Sequence, residues 1–465
     1  MKKLIITCTV FLGMTILASA QEKGSVLIQN ATVITITQGD LENTDVLIQD
    51  GVIKQIGEDL DAPRGVTVID AAGKYVMPGI IDAHSHLNGF DINEAMNPVT
   101  AEVSMEESVD PTRVSIYRAL AGGVTSIHLM HGSANVIGGQ GETLKLHYGT
   151  TVEGMRFKGA PRTIKFALGE NPTRVHGSGR GIQPRSRMGV EQVIRETFDA
   201  AQDYKRNREA YLEAKARYDK RKKGTPPVPV AQNLRYDVIN GIIDGEILVH
   251  CHSYRADEIL MLMRVFNDYG VKNYTFQHAN EAFKVAPELA KNGAHTSIFA
   301  DWWAYKFEVY YSTAYNATIL NEQGVVNSIN SDSGELIRHL NHEAAKVVHY
   351  GGTSENDALK MITLNPAIQL GIDDRVGSIE VGKDGDVAIW SAHPLSIYAI
   401  AEATFVDGVQ YFNRANDTDD MRISIDPEAD FTNAANFETI LEGREHDACM
   451  KGAFILTETA AHSHN

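Results

Sequence analysis

Two histidines one residue apart, His84 and His86, close an apolar run that starts from a Pro-Gly turn: Pro78-Gly79-Ile80-Ile81-Asp82-Ala83-His84-Ser85-His86. In an extended strand, side chains alternate between faces, so residues two apart point the same way. Both imidazoles therefore project together from a strand end, as a divalent metal requires of its nitrogen ligands. A bare His-x-His is common by chance. Directly after an apolar strand and a Pro-Gly turn, the pair is far more specific.

The elements that must position this pair follow from hydrophobic periodicity. Residues 25–78 read as short strands, with Asn30, Gly39-Asp40 and Asp50-Gly51 at the turns. From Val76 the pattern changes to strands alternating with helices. Strands are expected at 76–83, 123–130, 163–168, 247–252, 273–278, 295–300 and 325–330. Helices are expected at 111–121, 189–221, 255–268, 282–291 and 334–349. Alternating β and α units over some 270 residues point to a parallel α/β fold of a length that suits a (β/α)8 barrel. Residues 376–412 return to β character, so strands from both ends of the chain are expected to pair as one small β-sandwich domain. The predicted organisation is a signal peptide at 1–20, a first β part at 21–78, a barrel at 79–370, a second β part at 371–414 and a C-terminal extension at 415–465.

Composition bounds the function classes. Lys2 and Lys3, the apolar run Leu4 to Leu17 and the small residues Ala18-Ser19-Ala20 have the order of a secretory signal, which predicts export to the periplasm or the exterior. The apolar run is short for a membrane span, and no membrane anchor is expected. The net charge of −17 becomes −19 when Lys2 and Lys3 leave, which argues against nucleic acid or anionic membranes as partners. The expected partner is a small-molecule substrate, with a homo-oligomer left open. Of three cysteines, Cys8 leaves with the signal, and Cys251 and Cys449 do not make a disulfide scaffold. Residues 203–223 carry nine Lys or Arg and four Asp or Glu, and read as a solvated helix followed by a Pro-rich linker.

The segment around His84 and His86 resembles the first strand of the amidohydrolase superfamily, metal-dependent hydrolases on a (β/α)8 barrel. The β-module split between the chain ends is similar too. The resemblance extends over about residues 25–412 and lies nearest the imidazolonepropionase-like and dipeptidase-like branch. It implies four further ligands. At the fourth strand, Thr163-Ile164-Lys165 offers Lys165, which carboxylation by CO2 would turn into an anion able to bridge two metals; the alternatives are a snorkelling or salt-bridged lysine, with Glu170 as a rival bridge. At the fifth, Leu248-Val249-His250-Cys251-His252 offers two histidines. His250 directly follows the apolar run as the family's ligand does, and His252 would lie nearer the mouth, in reach of substrate. The sixth strand ends in His278. The eighth is followed by Asp332, which in the family binds metal and shuttles a proton. The implied cofactor is a divalent metal, two Zn2+ in the first place, with Mn2+, Fe2+ or Ni2+ as alternatives.

Further polar residues fall on loops at the same expected face. The Gly-rich stretch 131–141 offers His131, Asn135 and Gln140, and lacks the Gly-Lys-Ser/Thr ending of a phosphate loop. Asn171 and Arg174 follow the fourth strand and suit a substrate carboxylate. Tyr254 and Arg255 follow the fifth; the Trp302-Trp303 pair after the seventh reads as half core, half pocket wall. His128, His147, His176, His339, His342 and His349 read as ordinary surface or helix histidines. The implied reaction is hydrolysis of an amide, dipeptide or cyclic amide C–N bond, with Asp332 and His278 as the catalytic groups. The competing readings are hydrolysis of esters, lactones or phosphotriesters, and a secreted binding protein without catalysis.

Overall fold

The structure is a computed structural model and describes residues 23–303 and 305–416. The expected signal peptide, Cys8, Cys449 and nearly all of the C-terminal extension lie outside the described residues. Among these residues, no helix is long and apolar enough to cross a membrane.

Two eight-stranded sheets organise the chain. The first contains β1 (Val26–Ile34), β2 (Asp40–Gln49), β3 (Val52–Gly57), β4 (Thr67–Asp70) and β5 (Tyr75–Pro78) from one end of the sequence. The second contains β6 (Ile80–Ser85), β7 (Val124–Leu129), β8 (Ile137–Lys145), β9 (Arg162–Ala167), β10 (Ile247–Ser253), β11 (Tyr274–His278), β12 (His295–Ile298) and β13 (Asn327–Ile329), in that order. The last strands, β14 (Val387–Trp390), β15 (Ala401–Val406) and β16 (Val409–Asn413), return to the first sheet, where β14 pairs with β5. Both chain ends therefore share one continuous hydrogen-bonded sheet.

The second sheet nearly closes into a barrel. Between β13 and β6 the chain at Met361–Ile362 wedges in, its two carbonyls accepting from Ile329 N and Ile81 N. Near the mouth, Asp332 N donates directly to His84 O at 3.1 Å. Seven of the strands run parallel, as expected of a barrel. The exception is β8, antiparallel to both β7 and β9, where a Gly-rich loop was expected. Its glycines hide a strand because the backbone is approached closely there. A Cβ on Gly141 would meet Thr163 Oγ1 at 2.7 Å and His128 Nε2 at 2.8 Å.

Alternation along the strands separates an inner polar set from an outer apolar one. On β9 and β10, Lys165, His250 and His252 face inward, whereas Phe166 packs outward against Phe198 and Phe266 of the surrounding helices. Cys251 joins this outer core with a free, buried thiol, so the structure gives it packing and no disulfide among the described residues. The long helix Arg187–Arg221 buries Val190, Ile194, Phe198 and Ala201 near its start. Its basic second half is solvated, held by ion pairs such as Lys215–Asp219 and, to the next helix, Lys205–Asp244.

A buried ionic knot fastens the barrel to the other sheet. Lys145 at the end of β8 reaches Asp384 and Asp407 at 2.7 Å each and Asp386 at 3.1 Å. All four residues are under one-tenth exposed.

Candidate metal centre

At the mouth of the barrel, three imidazoles from the ends of two strands, β6 and β11, converge on one carboxylate. Asp332 Oδ1 lies 3.4 Å from His86 Nε2 and 3.6 Å from His84 Nε2, and its Oδ2 lies 3.8 Å from His278 Nε2. His84, His278 and Asp332 can offer ligand atoms that all lie within 4.8 Å of one another. Two of these residues depend on unusual backbone. His278 has φ 65° and Asp332 φ 44°, both in the left-handed region that side chains rarely occupy. By strict alternation, His278 would share the outward face of Phe276. Its left-handed backbone turns it inward beside its sequence neighbour Gln277.

Asp82 fixes the approach of the first and last strands. It accepts from His84 N at 3.2 Å and from Ser331 N at 3.1 Å, and also from Ser331 Oγ. Burial pushes its carboxyl up to about 6.

Lys165 and His250 lie at the same register on adjacent strands, yet they end at different depths. The lysine stem is long enough for Nζ to climb to 3.2 Å from His84 Nε2. The shorter imidazole of His250 stays one layer down, its ring 4.4 Å from that of His128. His252, one pleat nearer the mouth, has its ring 4.7 Å from His278 and 4.6 Å from Tyr254. Of the two candidates on β10, His252 is the one brought to His278.

The site's histidines are built to be neutral. Burial takes His84, His252 and His278 well below the usual imidazole range, and takes His86 down to about 4. A neutral imidazole keeps a lone pair for a metal. Both ring nitrogens of His252 and of His278 are buried with no hydrogen-bond partner among the described residues. Buried polar atoms normally find partners, so one nitrogen of each ring, together with the Asp332 carboxylate, fits a cation. The ammonium of Lys165 does not: it is a cation directed at the nitrogen that a metal needs. A carbamate on the same stem would reverse its sign.

The other expected contacts are placed as follows. Glu170 faces Arg174 at 3.3 Å and Lys306 at 3.6 Å, turned to these cations and not to the imidazoles. Asn171 Oδ1 accepts from Lys306 at 3.2 Å. His131 and Asn135 are spent on the preceding loop: His131 Nε2 accepts from Glu94 N, and Asn135 donates to Glu94 O and Asn97 O. Gln140 accepts from Arg162 and donates to Ala101 O. Arg255 is paired with Asp257. Tyr254 does reach the site, its ring stacked on His278 at 5.4 Å.

Sequence reasoning named Trp302 and missed Phe299 and Lys306. Phe299 stacks on His278 at 4.8 Å, and Trp302 on Phe299 at 4.5 Å, so His278 is sandwiched within a column of rings. Lys306 Nζ sits 4.0 Å above the Tyr254 ring. Of the histidines read as ordinary surface or helix residues, His128, His147 and His176 are buried, His176 within the helix Thr173–Ser178.

The amidohydrolase family model matches residues 75–416. The chain therefore belongs to the amidohydrolase family. It is 30% identical over 402 residues, 79% of this chain, to the amidohydrolase tasK of Hapsidospora irregularis, of which the match covers 40%. It is 38% identical over 113 residues, 24% of this chain and 23% of the relative, to a dihydroorotase of Pelobacter propionicus. The chain thus spans well under half the length of these curated relatives. Among solved structures, an amidohydrolase from Thermotoga maritima is 34% identical with a TM-score of 0.76, the match covering 84% of this chain and all of that one. A zinc-bound adenosine deaminase from Xanthomonas campestris, 16% identical with a TM-score of 0.52, shares the fold, covering 92% of this chain and 99% of that one.

Proposed function

We propose that this protein is a metal-dependent hydrolase of an amide, dipeptide or cyclic amide bond, with His84, His86, His252, His278, Asp332 and a carboxylated Lys165 holding two Zn2+. The observation that carries the reading is the convergence of three neutral imidazoles on Asp332 within 3.4 to 3.8 Å at the barrel mouth. A dihydroorotase among the partial relatives supports a cyclic amide. A bound divalent ion supplies an acidified water and a polarised carbonyl.

The chain's own groups do the rest. Asp332 accepts a proton at its carboxylate and delivers it to the leaving nitrogen, a transfer that such a positioned group accelerates about 10²–10⁴-fold. The ring column from Tyr254 to Trp302 holds His278 in one orientation and excludes water from one side of the site. Lys306, poised over Tyr254, is held beside that wall by its ion pairs with Glu170 and Glu308. The Glu170 alternative is left to the cation pairs described above.

The test is a hydrolysis panel run on zinc-loaded protein with bicarbonate, comparing dipeptides and cyclic amides with esters, lactones and phosphotriesters. Turnover of C–N substrates that disappears in Lys165→Ala is expected. Turnover confined to esters, lactones or phosphotriesters selects that second chemistry, and none at all leaves the binding-protein reading. Export is proposed as well, on the leader at 1–20; a mature N-terminus at Gln21 in a secreted fraction is expected, and an intact leader in the cytoplasm would oppose it.

A further inference from the structure

The inner layer of the barrel holds a hydrogen-bonded relay that links one layer of imidazoles to the next. Gln277, fully buried on β11, places its amide between two histidines of other strands. Its Oε1 lies 3.1 Å from His84 Nδ1, and its Nε2 lies 3.0 Å from His250 Nδ1. An amide oxygen can only accept and an amide NH2 can only donate. The amide therefore dictates where each imidazole carries its proton. His84 must hold its hydrogen on Nδ1, leaving Nε2 bare. His250 must present a bare Nδ1, which puts its hydrogen on Nε2.

The opposite amide orientation would put the hydrogen on His84 Nε2 and spoil it as a ligand. An independent contact decides between them. Lys165 Nζ, an ammonium with donors only, lies 3.2 Å from His84 Nε2, so that nitrogen is the acceptor. His86 follows the same logic by other means: its Nδ1 faces the carbonyl oxygen of Met130 at 2.9 Å, and its Nε2 faces Asp332.

We infer that Gln277 is a positioning residue that fixes the tautomer of His84, doing for that imidazole what the Met130 carbonyl does for His86, and that His250 is the far end of this relay. The inference rests on the metal-centre reading for its purpose, though the relay itself is a property of the metal-free protein. Partners of this kind hold a ligand's orientation, and their loss costs about 10–100-fold in metal affinity.

Two variants separate positioning from mere packing. Gln277→Leu keeps the bulk and removes both hydrogen bonds. Gln277→Glu keeps an acceptor for His84 Nδ1–H and forces only His250 to change tautomer. Zinc affinity would be measured by competition with a chromophoric chelator, and imidazole tautomers by 15N NMR on metal-free, histidine-labelled protein, with melting curves to confirm folding. Gln277→Leu is expected to weaken zinc binding about 10–100-fold and to mix the His84 tautomers, with Gln277→Glu restoring both. Unchanged affinity and tautomers in Gln277→Leu would overturn the inference. If the leucine variant does not fold, the wild-type spectrum and Gln277→Glu still decide: a proton on His84 Nε2 in the wild type refutes the relay. If the wild type binds no zinc, the metal-hydrolase reading fails, while the tautomers continue to test Gln277.

Discussion

Replacing Lys145 by Met should reveal what the ionic knot between the two sheets contributes. The change keeps most of the apolar stem and removes the charge that Asp384, Asp386 and Asp407 surround at 2.7 to 3.1 Å. Burial works against the charge of Lys145, but the three carboxylates override it and hold the ammonium above its usual range. Without it, Arg375 still pairs with Asp384 and Lys23 with Asp407, while Asp386 keeps the backbone N–H of Asp407. Breaking a buried pair by removing one partner costs about 3–5 kcal/mol. A cooperative unit of roughly 400 residues has an unfolding entropy near 0.8 kcal/mol per kelvin, so the loss corresponds to roughly 4–6 °C in Tm.

The pH dependence of this gap has a definite sign. Burial opposes ionisation of Asp407, but its contacts with His147 and Lys145 prevail and hold its folded value below the usual carboxylate range. Its stabilisation is therefore present above the unfolded value of about 3.9 and is lost as the pH falls through the folded one. Burial instead raises Asp386, and losing Lys145 raises it further. A raised carboxyl favours the folded state at low pH and loses that advantage as the pH rises through its folded value. The variant should thus recover relative to wild type between pH 7 and about 4. Differential scanning calorimetry at several pH values measures this. A Tm within about 1 °C of wild type at neutral pH, or a gap that widens on acidification, would refute the reasoning.

Further outcomes follow from individual residues. Asp332→Asn should lower kcat about 10²–10⁴-fold in steady-state assays on the substrate found in the panel, with folding unchanged by circular dichroism. Burial depresses His131 to about 4 and His128 to about 3, so the unfolded chain binds more protons between the usual value near 6.5 and those values. Stability of the metal-free protein should fall as the pH drops through that window, with the raised Asp82 opposing it; a midpoint in urea that rises from pH 6.5 to 4.5 would contradict this. Gly169 has φ 75°, and a Cβ there would meet Glu308 Oε1 at 2.5 Å. Gly169→Ala should cost about 1–3 kcal/mol in denaturant melts, and a neutral result would mean that this loop yields.

Much of the site was legible because its first signal is local. His84 and His86 declare themselves by their spacing directly after an apolar strand and a Pro-Gly turn, and Lys165, His278 and Asp332 came from the family resemblance laid over later apolar runs. What was hidden depends on depth and register. His250 and His252 share a face, and only the pairing of β10 with β9 and β11 shows that His250 stays with His128 while His252 rises to His278. Strand β8 was concealed because glycine was read as loop chemistry, when it serves close backbone approach to His128 and Thr163. The loop candidates His131 and Asn135 look like binding groups in sequence, yet their hydrogen bonds are consumed by segment 94–100. Phe299 and Lys306 carried no motif at all. Their role comes from the fold bringing them over His278 and Tyr254.

The measurement that tests the centre most directly is metal content by mass spectrometry on wild type, His252→Ala and His250→Ala, each purified with zinc and bicarbonate. A binuclear site predicts about two ions per wild-type chain, a sharp loss in His252→Ala and near-complete retention in His250→Ala. Loss in His250→Ala with retention in His252→Ala, or a wild type that holds no metal, would contradict the account.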